Sequence, residues 1–343
     1  MAYRIGLDIS GGDRAPDEII KGAILARKEL GYDVVLVGVK QEIQDALTKQ
    51  GAALSNFEIV HAPEKIEMAE SPAASCRKKK NSSIVIGAKL LKEKKIDAFV
   101  SCGNTGAVVC ASTLALRLIE GVERPGIGLM MPNPSGISLV VDVGANIDPK
   151  PIHLFQYGIM ASVYYNLVLD KENPTVGLLN IGEEASKGND FTKSVHKSFT
   201  ASSLNFTGNL EAKDLFSGKC DCVVCDGFAG NIALKVSESC ATFVAKFLLE
   251  TMKSDFFGII GLLLAKRSLK KFKKMIDYAE YGGAPLLGVD GVVIIGHGRS
   301  NARAVKNAIK VAGEELKRDL IAKIKVKVNE VCQNQDIKQI LNV

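Results

Sequence analysis

Short runs of consecutive apolar residues recur along the chain, and most are closed by a cluster rich in glycine and asparagine. Tyr3 to Asp8 is the first, followed by Ser10-Gly11-Gly12-Asp13. A helix is predicted from about Pro16 to Leu30, with Gly31 suited to its C-cap, and Val34 to Val37 reads as the next strand. Ile96 to Val100 leads into Ser101-Cys102-Gly103-Asn104-Thr105-Gly106 and a helix to about Ile119. Ile137 to Val141 ends in Asp142-Val143-Gly144-Ala145-Asn146, and Thr175 to Leu179 ends in Asn180-Ile181-Gly182-Glu183-Glu184. Cys222 to Cys225 ends in Asp226-Gly227-Phe228-Ala229-Gly230-Asn231, and Val292 to Ile295 ends in Gly296-His297-Gly298-Arg299-Ser300. These strands are continuously apolar rather than alternating, which predicts a parallel sheet covered on both faces. The helical stretches between them predict βα units. Ligands of open α/β sheets bind at the carboxyl ends of the strands, so the six clusters are expected to gather into one cleft.

Two punctuation points interrupt the pattern. Met131-Pro132-Asn133-Pro134-Ser135-Gly136 reads as a linker or domain entry, and Tyr281-Gly282-Gly283-Ala284-Pro285 as a second break. The expected organisation is a discontinuous first α/β domain, residues 1–130 with 290–343. A second α/β domain, 131–289, would carry a protruding helix hairpin at 240–280. Within that hairpin, Phe256 to Ala265 is ten apolar residues, about 15 Å as a helix and roughly half of what spans a bilayer. The basic residues Lys266, Arg267, Lys270, Lys271, Lys273 and Lys274 follow, with Leu269, Phe272, Met275 and Ile276 at helical spacing. This pattern fits a reversible contact with an anionic lipid surface. It fits equally a helix pair buried in a dimer interface or core.

The chain's 343 residues exceed what one core usually holds, so two domains are the default. A content of 47% apolar and 24% charged residues excludes a mainly disordered chain. With 44 basic and 38 acidic residues the net charge is +6, which favours acidic partners. No nucleic-acid-binding motif accompanies it, so nucleic acid is not expected as a partner. The first apolar run reaches Asp8 almost at once and does not read as a signal peptide. The eight cysteines therefore read as reduced thiols of a cytoplasmic protein. Cys220, Cys222 and Cys225 have the spacing to begin a zinc site, but no fourth ligand is evident and the stretch reads as a buried strand; no metal is expected.

Six segments together carry a resemblance: Asp8 to Pro16, Ser101 to Ala107, Val141 to Lys150, Gly177 to Asn189, Asp226 to Lys235 and Gly283 to His297. In their order they are similar to the bacterial phosphate acyltransferases of the PlsX type, over nearly the whole chain. Ser10 and Arg14 stand where that family usually has methionine and histidine, and Cys102 where it often has alanine. Arg14 cannot carry a proton near neutral pH. The resemblance implies an isopropylmalate-dehydrogenase-like two-domain fold with a mostly parallel sheet, shared with phosphate acetyltransferases and usually homodimeric. The implied reaction is attack of inorganic phosphate on the thioester of acyl-acyl-carrier-protein, giving acyl phosphate for phospholipid synthesis without a cofactor. It further implies peripheral association with the inner face of the membrane, where the next acyltransferase of the route is an expected partner. The rival readings are a short-chain phosphate acyltransferase of the same fold and a non-catalytic membrane-associated scaffold.

Phosphate is already a nucleophile, so the protein's task is to hold anions and stabilise an oxyanion with amides, asparagines and cations. Gly103, Asn104, Thr105 and Gly106 are expected to bind phosphate, or else to form an ordinary turn and N-cap. Lys187, in the loop that holds Gly182 and Asn189, is the leading clamp for oxyanion or phosphate. Lys150 and Lys235 are weaker candidates that also read as surface lysines. Asn146, Asn180 and Asn231 either bridge the substrates or form Asx turns. Asp142 and Asp226, the latter followed by Gly227, are expected to orient neighbouring groups. His297 is placed like an acid for the leaving thiolate, or else fixes a turn. His153 reads as a cap or surface residue. Arg77-Lys78-Lys79-Lys80 reads as a steering patch for an acidic carrier protein, or as a solvated face.

Overall fold

A computed structural model of the chain describes residues 3–276, 278–332 and 335–341. The strands are β1 (Arg4–Asp8), β2 (Asp33–Gly38), β3 (Glu58–His61), β4 (Ala98–Ser101), β5 (Gly126–Asn133), β6 (Gly136–Val141), β7 (Val176–Leu179), β8 (Phe206–Leu210), β9 (Cys222–Val224), β10 (Ala284–Leu287) and β11 (Val292–Ile295). The helices are α1 (Asp17–Leu30), α2 (Lys40–Lys49), α3 (Pro72–Lys78), α4 (Ser83–Lys92), α5 (Thr105–Leu116), α6 (Pro151–Leu169), α7 (Asp190–Thr200), α8 (Gly227–Lys253), α9 (Phe256–Ile276), α10 (Tyr278–Tyr281), α11 (Ala302–Lys317), α12 (Leu320–Cys332) and α13 (Gln335–Leu341).

All strands join one sheet in the order β3-β2-β1-β4-β11-β10-β5-β6-β9-β7-β8. The apolar runs form its buried middle: Leu7, Val100, Val141, Val224 and Ile294 are fully buried. Side-chain caps explain much of the polar clustering after the strands. Asn104, Asn189, Asp226 and Asn301 each accept a hydrogen bond from the amide three residues on, at 2.8–3.0 Å, which satisfies a donor that the first helical turn leaves orphaned.

The sheet is not parallel throughout. β10 runs antiparallel to both β11 and β5, and β5 antiparallel to β6. Consequently β6, β9, β7 and β8 run opposite to β1, β4 and β11. The six clusters therefore leave the sheet as two groups of three from opposite edges, which corrects the expectation of a single edge. The expected linker at Met131–Gly136 is instead the tip of the β5–β6 hairpin, where Asn133 pairs with Gly136. The second break runs directly into β10.

The protruding pair is α8 and α9, joined by Ser254 and Asp255. It starts earlier than expected: α8 begins at Gly227, inside a polar cluster, and its 27 residues reach about 40 Å. Phe243, Phe247, Phe256, Phe257, Leu263 and Leu264 are exposed along the pair. Of the basic amphipathic stretch expected there, the side chains of Lys271, Lys273, Lys274, Met275 and Ile276 lie outside the described residues. Among the described residues no helix is long and apolar enough to cross a membrane.

Candidate functional site

The first group of loops follows β6, β9 and β7. Asp142, buried at the end of β6, accepts hydrogen bonds from four backbone amides, those of Ile127, Gly144, Ala145 and Asn146, at 2.7–3.0 Å. Burial pushes its carboxyl up while the four amides pull it down, and burial dominates. It thus shapes the loop rather than facing a substrate. Asn146 donates from Nδ2 to Pro125 O at 2.5 Å and to the Tyr157 hydroxyl at 2.6 Å. Its own carbonyl accepts from Gly227 N at 2.8 Å, which ties this loop to the start of α8. Close approach demands glycine here. A Cβ on Gly227 would lie 2.6 Å from Asp142 Oδ2, and one on Gly230 would lie 2.0 Å from Asp142 O. Gly144 sits against Asn231, 3.7 Å from where its Cβ would lie.

One strand further, Asn180 accepts from Ile181 N at 2.9 Å and donates to Lys187 O at 3.3 Å, closing the loop on itself. Gly182 is buried against the Lys187 stem, and Asn189 caps α7. Lys187 is exposed. Neither Lys187 nor Lys150 has a carboxylate partner among the described residues.

The second group follows β1, β4 and β11. Asp8 is buried, with Ser101 Oγ donating to it at 2.6 Å and Ser10 N at 3.1 Å; burial pushes its carboxyl up. Gly11 packs on Gly103, and Asp13 N bonds Gly298 O at 2.7 Å, so the three loops interlock. Asn104 does not present its side chain to a ligand. Its Oδ1 caps α5, and its Nδ2 reaches the carbonyls of Glu67, Met68 and Glu70 at 3.1–3.2 Å. What this loop leaves available is the exposed Thr105 hydroxyl and the first amides of α5. His297 accepts from Arg299 N on Nδ1 at 3.1 Å, which puts the neutral ring's proton on Nε2.

Helix α8 links the two groups. Asn231, Lys235 and Glu238 lie at spacings of four and three, on one helical face. Lys235 Nζ is 3.7 Å from Glu238 Oε2, and Glu238 Oε1 is 3.7 Å from His297 Nε2. Burial pushes the His297 imidazole down, and Glu238 opposes that. Glu238 was missed in the sequence, because its place beside His297 follows only once α8 is known to start at Gly227. His153, read as a cap or surface residue, is a buried cap: Nδ1 accepts from Lys150 N at 3.0 Å at the start of α6, and Nε2 lies 3.2 Å from Glu123. A cavity of about 410 Å³ lies elsewhere, lined by Ser162, Asn166, Pro174, Leu204 and Lys323 on α6, α12 and the approaches to β7 and β8. It holds none of the predicted site residues.

The mixed α/β architecture is one seen in solved phosphotransacetylases. The structure is similar to the phosphotransacetylase of Streptococcus pyogenes, with TM-score 0.62, 18% identity, and 92% and 94% of the two chains covered. It is also similar to the EutD phosphotransacetylase of Staphylococcus aureus, with TM-score 0.57, 16% identity, and the same coverage. The fold is therefore of the phosphotransacetylase kind, which replaces the isopropylmalate-dehydrogenase-like fold expected above. That expectation came with the family resemblance; strand and helix periodicity alone specifies an α/β sheet but not its long-range strand pairing.

The sequence profile described as "Fatty acid synthesis protein" matches residues 3–323. The phosphate acyltransferase of Aquifex aeolicus is 47% identical over 322 residues, 94% of this chain and 95% of that one. The chain belongs to the fatty acid synthesis protein family.

Proposed function

We propose that this chain transfers a long-chain fatty acyl group from acyl-acyl-carrier-protein to inorganic phosphate, giving an acyl phosphate for phospholipid synthesis. Its family makes it an enzyme that moves acyl groups to phosphate. The observation that carries the finer reading is the polar stripe of α8, which runs from the Asn231 loop to His297. An extended thioester laid along it meets hydrogen-bond donors at one end and the interlocked glycine loops at the other.

In this reading phosphate rests on the first amides of α5 and the Thr105 hydroxyl, with Gly103, Asn104 and Gly106 supplying backbone only. One phosphate oxygen attacks the acyl carbon. The carbonyl oxygen gathers charge beside Asn231 and the Lys187 ammonium, then the carbon–sulfur bond breaks. His297 Nε2 gives its proton to the departing thiolate. Asn146, Asn180, Gly182, Asn189, Asp226 and Gly227 hold the loops in place, Lys150 adds positive charge beside the first group of loops, and Lys235 adds it midway along the α8 stripe, facing Glu238. The same proposal has the Arg77–Lys80 stretch meet the acidic carrier protein. It also has α8 and α9 serve a homodimer and contact anionic lipid at the inner membrane face, beside the next acyltransferase. Exposed Phe256, Phe257 and Leu264, with Lys266, Arg267 and Lys270 after them, support that contact.

The test is turnover of purified protein with acyl-acyl-carrier-protein. Thioester consumption that requires added orthophosphate and yields acyl phosphate is expected; consumption without phosphate, or none, refutes it. Lys187→Ala should slow the reaction about 10²–10³-fold, the cost of one lost oxyanion donor, with an unchanged circular-dichroism spectrum. An unchanged rate removes Lys187 from the site.

A further inference from the structure

At the ends of β6, β9 and β7, four residues of the loops and of the start of α8 are each followed at once by an exposed apolar one. The pairs are Asn146–Ile147, Asn180–Ile181, Gly227–Phe228 and Asn231–Ile232. Their apolar members are 73%, 82%, 59% and 47% exposed. A single exposed isoleucine is ordinary, but here four large exposed apolar side chains lie at the carboxyl ends of three neighbouring strands. β9 pairs with both β6 and β7, so at about 4.8 Å between strands the loops lie within roughly 10 Å.

The local hydrogen bonding explains the outward aim. Asn146 is turned in to Pro125 O and Tyr157, and Asn180 folds back to its own loop. The residue after each is left facing solvent. Lys150 and Lys187, without carboxylate partners among the described residues, belong to the same loops as Ile147 and Ile181. An apolar surface bordered by uncompensated ammonium groups is complementary to a hydrocarbon chain that ends in a polar, charge-accumulating head.

We infer that Ile147, Ile181, Phe228 and Ile232 form a shelf for the acyl chain of the thioester substrate and set the preference for long chains. The inference rests on the acyl-transfer reading above. The apolar residues of the hairpin turn, Phe256 and Phe257, lie a whole helix length along α8 from this shelf, so the patch is separate from the surface assigned to lipid.

The test compares kcat/KM for palmitoyl and butyryl thioesters of acyl carrier protein in wild type, Ile147→Ser, Ile181→Ser, Phe228→Ser and Ile232→Ser. The palmitoyl-to-butyryl ratio should fall about ten-fold in Ile181→Ser and Phe228→Ser, equivalent to roughly 1.4 kcal/mol, and further in the double variant. Phe228→Leu should restore it. Val326→Ser, at an exposed position on α12 remote from these loops, should leave it unchanged. A ratio that stays constant in every serine variant overturns the shelf. If it stays constant while sedimentation shows dimer dissociating to monomer, the patch belongs to a second copy. If it stays constant while binding to phosphatidylglycerol vesicles is lost, the patch belongs to the lipid surface. Wild-type protein with no phosphate-dependent turnover of either thioester overturns the acyl-transfer reading itself, and the shelf with it.

Discussion

Glu315 on α11 is 2% exposed, and the hydroxyl it meets is that of the equally buried Tyr164 on α6. One of its carboxyl oxygens, Oε1, has no partner. Loss of hydration therefore outweighs that one donor and pushes the carboxyl from 4.5 up to about 8. A displacement of that size corresponds to roughly 5 kcal/mol of preference for the neutral acid in the folded state. The folded protein binds this proton more tightly than the unfolded chain. Its contribution is thus complete below the unfolded value, declines as pH rises through the folded value, and is absent above it. Urea unfolding of wild type and Glu315→Gln at about pH 5 and about pH 9 measures it. The amide is nearly isosteric and cannot ionise. Wild type should lose several kcal/mol more stability than the variant between the two conditions, and the variant should be the more stable at the higher pH. The burial of Tyr164 pushes its phenol well up, so it does not titrate within this window. Parallel pH profiles for the two proteins would refute the reasoning.

Glu238→Gln removes the anion facing His297, so the imidazole pKa should fall further below its ordinary value; an NMR titration of the ring reads this, and an unmoved pKa would show that the carboxylate has no hold on it. Asp142→Ala strands four buried or half-buried amides at about 1–3 kcal/mol each. It should destabilise the protein by at least ~4 kcal/mol in chemical denaturation, and Asp142→Asn, which keeps one acceptor oxygen, by less.

Much of the local structure was legible because it is written in local signals. Val292–Ile295 forms the predicted strand to the residue, and Gly31 takes the left-handed C-cap position. Of the strands that escaped, β3, β5, β8 and β10, the two in the middle of the sheet carry glycine and proline where a strand is expected to be uniformly apolar. β5 contains Gly126, Gly128 and Pro132, and β10 contains Pro285. Those two strands create the antiparallel seam, so missing them concealed the reversal of sheet direction and the division of the loops into two groups. Within the candidate site, Asn104 illustrates the same limit. Its place after a strand is readable from the sequence, but the carbonyls of Glu67, Met68 and Glu70 that occupy its amide come from a distant loop. The contact between Glu238 and His297 likewise joins segments far apart in the chain.

β10 gives the molecule an uneven stiffness. Ala284 and Pro285 pair with one neighbour, Leu286 and Leu287 with the other, and Pro285 has no amide hydrogen to contribute. An otherwise continuous ladder thus narrows to a few crossing bonds at its midpoint. Fewer ladder bonds thus hold the two halves to each other here, while the loops of each half are fixed within it by their own hydrogen bonds.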